Sequence, residues 1–370
     1  MGDKPGLENM GIEELRQSYQ GKKVLVTGHT GFKGAWLAIW LNALGARVVG
    51  VALAPRTEKD LYNLASVESL LEKDYRHDIR DSVGVREIFE AEQPEVVFHL
   101  AAQAIVLDSY KDPAYTYETN VMGTVNLLEA CRLTDSVHTG VFITTDKCYD
   151  NKEWVYPYRE SDPMGGYDPY SSSKGACELI INSYRNSFFK KQQKDIASAR
   201  SGNVIGGGDW SPHRIVVDLI RAIEANQPLE VRSPAAVRPW QHVLEPLSGY
   251  LLLGAKMMQQ RNQFDDAWNF GPESNGAYQV KDLVELLIKY YGAGEWLDRS
   301  NGTHLHEANL LTLDISKAKN FLHWRPALNL NDTVRLTVEW YKHYAAENVQ
   351  ELCRKQIQEY CSQWNSNTVN

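Results

Sequence analysis

Thr145-Asp146-Lys147 and, a short way on, Tyr170-x-x-x-Lys174 bring several groups capable of moving protons into one stretch of chain. Tyr170 and Lys174 are one helical turn apart and share a face. Such a pair suits removal of a hydroxyl proton while hydride leaves the same carbon. The phenol must be brought down from about pKa 10, and roughly three units cost about 4 kcal/mol, which a close ammonium in a dry site can supply. Asp146 and Lys147 add an acid and a candidate base, as elimination of water next to a carbonyl requires. Neutralising a lysine near pH 7 costs roughly 4 to 5 kcal/mol. Lys174 would lower the pKa of Lys147 and an ionised Asp146 would raise it, so Lys147 reads either as the base or as a fixed charge that stabilises an enolate.

The elements that must position these residues alternate strand, helix, strand, helix through the first half, the pattern of a parallel sheet. Lys23–Thr27 reads as the first strand, and Gly34 to Leu44 as the first helix, closed by Gly45 in an αL cap. Arg47 to Ala52, Glu95 to Leu100 and Val137 to Thr144 read as further strands, the last running straight into Thr145. Pro113 to Arg132 and Gly175 to Lys190 read as helices, and Pro169 suits a first turn. Ligands of doubly wound sheets sit beyond the carboxyl ends of the strands, where Thr145 falls.

After about residue 200 the alternation loosens, as befits a substrate-facing lobe. We therefore divide the chain into a nucleotide domain over 1–200, with a return segment at about 240–270 that opens as strand and helix from Val243 to Leu253. The second lobe takes 201–239 and 271–370, and its polar end, Gln350 to Asn370, reads as a fraying helix and tail.

Gly28-His29-Thr30-Gly31-Phe32-Lys33-Gly34 joins the first strand to the first helix, so amides at the helix start can meet a pyrophosphate. The second strand is followed by Leu53-Ala54-Pro55-Arg56, with no carboxylate where NAD enzymes hold the ribose hydroxyls. NAD is still favoured, since a cofactor reduced and reoxidised within one turnover need not exchange with the reducing pool. Arg56 can accept a 2′-phosphate, which leaves NADP open on this criterion. His29 and Lys33 are candidates to touch ribose or phosphate instead, balanced against an exposed loop His and a snorkelling Lys. Weaker cofactor retention than in relatives with the acidic residue is the expected consequence.

At 370 residues the chain can bury a large core in two lobes. A net charge of −8, with Lys190, Lys191 and Lys194 read as a solvated helix end, argues against nucleic acid and membrane surfaces as partners. No apolar stretch approaches a bilayer span and Met1 to Gln20 lacks a signal-peptide core, so a cytoplasmic protein is expected. Cys131, Cys148, Cys177, Cys353 and Cys361 contain no Cys-x-x-Cys pair and indicate neither a disulfide framework nor a metal site. Cys148 reads as a small apolar filler.

The glycine spacing, Asp78-Ile79, Leu100-Ala101-Ala102-Gln103, Asn120 and Tyr170-x-x-x-Lys174 together resemble the extended short-chain dehydrogenases/reductases over nearly the whole chain. That resemblance implies an α/β doubly wound parallel sheet of Rossmann type with a smaller C-terminal α/β substrate lobe. It implies cofactor contacts at Gly28, Gly31, Phe32, Gly34, Asp78, Ile79, Leu100, Ala101 and Ala102, with Tyr170 and Lys174 at the nicotinamide ribose. It gives Asn120 a structural role, and Thr145 a hydrogen bond to the reacting hydroxyl. Substrate contacts fall to Gln103, Asn203 and Arg238, with Arg214 a second phosphate candidate. Trp210 and Trp240 read as stacking platforms or, more commonly, core; Leu313 to Ala318 and Leu322 to Pro326 resemble the segment that closes the substrate lobe.

Thr145-Asp146-Lys147, where sugar-nucleotide dehydratases usually carry Thr-Asp-Glu, together with the glycine turn and Arg238-Pro239-Trp240-Gln241-His242, is similar to the CDP-glucose 4,6-dehydratases. Such an enzyme oxidises C4 with NAD, eliminates water across C5 and C6, and returns hydride to C6, giving a 4-keto-6-deoxy sugar for deoxysugar and surface-polysaccharide (lipopolysaccharide) synthesis. Cytidine as the base comes from the resemblance alone. So does a homodimer or homotetramer paired through roughly Thr119 to Arg132 and Tyr170 to Lys190. Two rivals stand: an NDP-sugar 4-epimerase, which has no task for Asp146 and Lys147, and a non-catalytic dinucleotide-binding homologue.

Overall fold

The computed structural model describes residues 12–273, 278–300 and 310–368. Met1 to Gly11, part of the stretch read for a signal peptide, and Val369-Asn370 of the expected tail lie outside them. Strands β1 (Lys23–Thr27), β2 (Arg47–Ala52), β3 (Lys73–Arg76), β4 (Val96–His99), β5 (Thr139–Ile143) and β6 (Asp195–Ser201) join the strand Ala267–Phe270 in one seven-stranded sheet. Its order is Ala267–Phe270, β6, β5, β4, β1, β2, β3, and every pairing is parallel. β5 and β6 are buried along their whole length, because helices cover both faces. Alternate side chains serve opposite cores: Val24 and Val26 pack on one face, Leu25 on the other with Val97 and Leu127.

The chain leaves β1 towards β2 on one side and reaches β4 on the other, so a crevice opens between the carboxyl ends of β1 and β4. A helix over Ile12–Tyr19 precedes β1, and the helix after β1 runs over Phe32–Ala43, starting two residues before the sequence expectation, with Gly45 at φ +82° as expected of its cap. Helix Pro169–Tyr184 begins ahead of Gly175 because Asp168 caps it, accepting from Ser171 N at 2.9 Å, with Pro169 in the first turn.

Beyond β6, among the described residues, three small two-stranded ladders form the second layer: Val204–Ile205 with Gln241–His242, Val237–Arg238 with Tyr278–Gln279, and Leu229–Val231 with Trp296–Asp298. Helix Leu244–Gln259 then returns to the main sheet, buried from Leu244 to Met257.

Two surface expectations fail. Helix Val349–Thr368 is no fraying tail: Leu352, Cys353, Ile357, Tyr360, Cys361 and Trp364 are buried, and Tyr360 meets Trp40 of helix Phe32–Ala43 edge-on at 5.7 Å. Its high polar content belongs to the outer face and hid the apolar stripe. Lys194 is buried, its Nζ donating to Cys131 O at 2.9 Å and Thr134 O at 2.8 Å, so it closes the end of helix Gly123–Leu133 rather than facing water. No helix among the described residues is long and apolar enough to cross a membrane.

Candidate active site

A cavity of about 1370 Å³ opens at the carboxyl ends of the strands, between the main sheet and the second layer. Gly28, Gly31, Phe32, Lys33, Gly34, Asp78, Ile79, Leu100, Ala101, Ala102, Gln103, Thr145, Asp146, Lys147, Tyr170, Lys174, Asn203, Arg214 and Arg238 all line it. The volume exceeds the usual range for one small ligand and suits two.

At one end the glycine turn leaves room for a dinucleotide. A Cβ on Gly28, at φ +77°, would stand 2.7 Å from Ala101 N, and one on Gly34 would stand 2.1 Å from Gly28 O. Only glycine permits that approach. Gly31 begins the helix with no side-chain cap, so the first-turn amides keep their hydrogen-bonding capacity for a pyrophosphate. No carboxylate ends β2, as the sequence indicates. Asp60 is the first one to line the cavity after it, and its oxygens accept from Arg56 N at 2.7 Å and Thr57 Oγ1 at 2.8 Å. The residues present therefore fit a dinucleotide.

His29 does not touch this space. It is fully buried beneath β2, its Nε2 2.9 Å from Asp74 Oδ1, and a Cβ on Gly50 would meet its ring at 2.7 Å. Neither a ribose ligand nor an exposed loop His describes it. Lys33 reaches across the cavity floor instead of following the turn, and its Nζ donates to Ser201 Oγ at 2.9 Å.

The proton-moving groups converge at the end of β5. Thr145 begins a short 3₁₀ turn over Asp146–Cys148 and donates to Asp146 Oδ1 at 3.0 Å. Asp146 is 3% exposed and its Oδ2 has no hydrogen-bond partner. Burial raises its pKa, opposed by Lys147, Thr145, Arg238 and Lys33. Lys147 keeps part of its surface in the open cavity, but the protein around it lowers its pKa by desolvation, against Asp146 and Asp168. The opposing signs left by the sequence thus resolve towards a more neutral lysine. The first cause is burial, and the charges of Arg238 and Arg214 act in the same direction.

Tyr170 is pushed up to about 12, first by burial, with a hydrogen bond to Thr145 and the charge of Arg214 drawing it back. Lys174 Nζ donates to Ile143 O at 3.2 Å and is itself lowered by burial. Gln103 also departs from expectation, because its side chain is occupied internally: it accepts from Ile105 N at 2.7 Å and donates to Thr116 Oγ1 at 3.0 Å and to Ile105 O. Asn120 holds the same loop from behind, accepting from Gln103 N at 2.8 Å and donating to Ser173 Oγ at 2.8 Å.

On the substrate side Asn203 and Arg238 face the cavity, and Arg214 pairs loosely with Asp209 at 3.8 Å. Trp210 and Trp240 are both largely buried and reach the cavity only at its wall. Cys148 is buried with its thiol pKa well raised by desolvation, the condition of an inert filler.

The support behind Thr145 was not foreseen from sequence. Glu178 accepts from Thr144 Oγ1, from Ser198 Oγ at 2.7 Å and from Arg200 at 2.8 Å, all buried. Arg200 also reaches Tyr149 OH at 2.7 Å, which donates to Asn269 Oδ1 at 2.8 Å. This chain ties both ends of the Thr145–Lys147 turn to β6 and to the strand Ala267–Phe270. A signal existed: Tyr170, Lys174 and Glu178 form a polar stripe at every fourth residue of an otherwise buried helix face.

The family model for GDP-mannose 4,6 dehydratase matches residues 25–337. The chain is 46% identical over 352 residues to CDP-glucose 4,6-dehydratase of Salmonella typhimurium, a match covering 93% of this chain and 97% of that one. Among solved structures, UDP-glucose 4-epimerase of Thermotoga maritima with UDP-glucose superposes with a TM-score of 0.74 at 26% identity, over 87% of this chain and 99% of that one. A dTDP-glucose 4,6-dehydratase from Bacillus anthracis in complex with NAD shares the fold at a TM-score of 0.72 and 21% identity, over 90% of this chain and 100% of that one. The chain belongs to the GDP-mannose 4,6 dehydratase family, within the extended short-chain dehydrogenases/reductases.

Proposed function

We infer that the protein is an NAD-dependent CDP-glucose 4,6-dehydratase, a hydro-lyase of deoxysugar biosynthesis that makes CDP-4-keto-6-deoxyglucose. The observation that carries this reading is a buried carboxyl, Asp146, placed beside Lys147 and linked through Thr145 to Tyr170 in one cavity. A C4 epimerase needs Tyr170 but has no bond to break at C6, so it has no use for that acid. The relative that matches over nearly the whole chain carries the same activity in its name.

The glycine turn would hold NAD, which would supply the hydride acceptor for C4 and the hydride donor for C6. Tyr170, starting as the phenolate, takes the O4 proton and becomes the neutral phenol as C4 becomes a ketone, and Lys174 would hold the nicotinamide ribose. Thr145 hydrogen-bonds the phenol and donates to Asp146 Oδ1 at 3.0 Å, so it links the group that gains the O4 proton to the group that must deliver one to O6. Lys147 removes the C5 proton, made acidic by the ketone, as Asp146 protonates the departing C6 hydroxyl. Lys147 then returns its proton to C5 as hydride reaches C6. Asp146 ends as a carboxylate and Tyr170 with an extra proton, and Thr145 is the path by which the two are restored.

In this reading Arg238 and Arg214, which line the cavity, would hold the substrate diphosphate, and Asn203 the nucleotide sugar. The nucleotide domain comprises 1–200 with the return at about 240–270, and the remaining segments form the substrate lobe. A homodimer or homotetramer accords with exposed Met122, Leu133, Leu179 and Phe188 along the two helices expected to pair. Incubation with CDP-, dTDP-, UDP- and GDP-glucose, read by mass spectrometry, tests the reading. Loss of one water from the CDP sugar is expected, and an unchanged mass with every nucleotide defeats it.

A further inference from the structure

Lys33 was expected to serve the cofactor, yet its side chain turns away from the helix amides and ends at Ser201 on β6. Ser201 Oγ is in turn 2.8 Å from Tyr250 OH, on the buried helix Leu244–Gln259, so the lysine is anchored at its tip. The next residue, Gly202, lies directly against Asp146: a Cβ there would stand 2.9 Å from Asp146 Oδ2 and 3.1 Å from Pro239 Cγ. Oδ2 is the carboxylate oxygen left without a partner, on a side chain 3% exposed. A buried, unpartnered carboxylate oxygen is costly unless something compensates it during the reaction.

Resting on the dehydratase reading, we propose that Lys33 is the charge partner of Asp146 in the elimination step, acting on its Oδ2 side while Thr145 holds Oδ1. When Asp146 gives its proton to O6, the C6–O bond breaks, water departs, and a carboxylate is left in a buried site. The Lys33 ammonium stabilises that carboxylate, and so makes Asp146 the stronger acid. Lys33 takes no proton in this step; the C5 proton goes to Lys147.

The electrostatics agree with the geometry. Asp146 is influenced by Lys147, Arg238 and Lys33, and itself acts on Tyr170, Cys148 and Tyr250. Lys33 is brought down to about 7, first by burial and then by Arg214, while Asp146 and Asp209 favour its charged form. Two diphosphates entering the cavity would favour the ammonium further.

The test compares Lys33→Met and Lys33→Arg with the parent at saturating NAD and CDP-glucose. Reduced-nicotinamide absorbance, water loss by mass spectrometry and NAD affinity by calorimetry are read on each. In Lys33→Met, C4 oxidation persists, reduced cofactor accumulates, and water loss falls by tenfold or more, about the effect of one pKa unit on an acid. Lys33→Arg, which keeps the charge, recovers most of the water loss. The proposal is overturned if saturating NAD restores Lys33→Met to the parent rate, which would make Lys33 a cofactor ligand only. It is also overturned if Lys33→Arg fails as badly as Lys33→Met although both bind NAD. Failure of the dehydratase reading looks different: the unsubstituted protein would release water from none of the four nucleotides, and that result defeats both.

Discussion

In the proposed mechanism Asp146 and Lys147 take opposite tasks from adjacent positions, and burial moves both towards the uncharged forms those tasks would need. Asp146→Asn removes the acid but preserves the shape, so C4 oxidation should continue while water loss falls by about 10²- to 10⁴-fold. Stopped-flow absorbance and product mass read the two steps separately. For Lys147→Ala, exchange of solvent deuterium into C5 should slow relative to the parent; exchange at the parent rate would reassign Lys147 to a fixed charge. The identities of these residues were legible in sequence, because a strand running into Thr-Asp-Lys and a helix opening on Tyr-x-x-x-Lys fix their neighbourhood. Their orientations were not. His29 stands in the glycine turn yet faces Asp74 under β2, and Gln103 lines the cavity while its amide is consumed by its own loop. Direction in a turn depends on what packs beneath it, which neighbours in sequence do not report.

At the scale of elements, the Thr145–Lys147 turn is held by a buried charge pair, Glu178 with Arg200, at side-chain exposures of 3% and 4%. Burial alone would raise the Glu178 carboxyl; Arg200 overrides this and holds it below the usual range. Removing one partner leaves a buried charge uncompensated. Arg200→Leu should therefore cost about 3 to 5 kcal/mol in urea unfolding, whereas Arg132→Leu, at a surface pair, should cost under about 1 kcal/mol.

Strands β1, β2, β4 and β5 were legible because strands covered on both faces read as nearly unbroken apolar runs, whereas β3, Lys-Asp-Tyr-Arg, and β6, Asp-Ile-Ala-Ser-Ala-Arg-Ser, are too polar to stand out. The last helix was not, since its buried stripe of Cys353, Ile357, Tyr360 and Trp364 is diluted by polar residues on its outer face. Trp364→Ala should lower stability by about 3 to 5 kcal/mol, an effect a fraying tail would not show.

Across the whole molecule, Glu245 joins the returning helix to the C-terminal segments, accepting from Ala327 N at 2.9 Å, Leu328 N at 2.6 Å and Tyr360 OH at 2.8 Å. Burial raises its carboxyl from 4.5 to about 7. The unfolded chain loses this proton from about pH 4.5 upward while the fold keeps it to about 7. The group's stabilising contribution is therefore full below pH 4.5 and declines as pH rises to 7. Glu245→Gln should flatten the dependence of melting temperature on pH across that window; an unaltered slope would show that Glu245 is ionised in the fold.

The central claim, hydride removed from C4 and returned to C6 around an elimination, is tested most directly with CDP-glucose carrying deuterium at C4. The account predicts a product one water lighter with the deuterium in its C6 methyl group. Deuterium retained at C4 in a product of unchanged mass would contradict it.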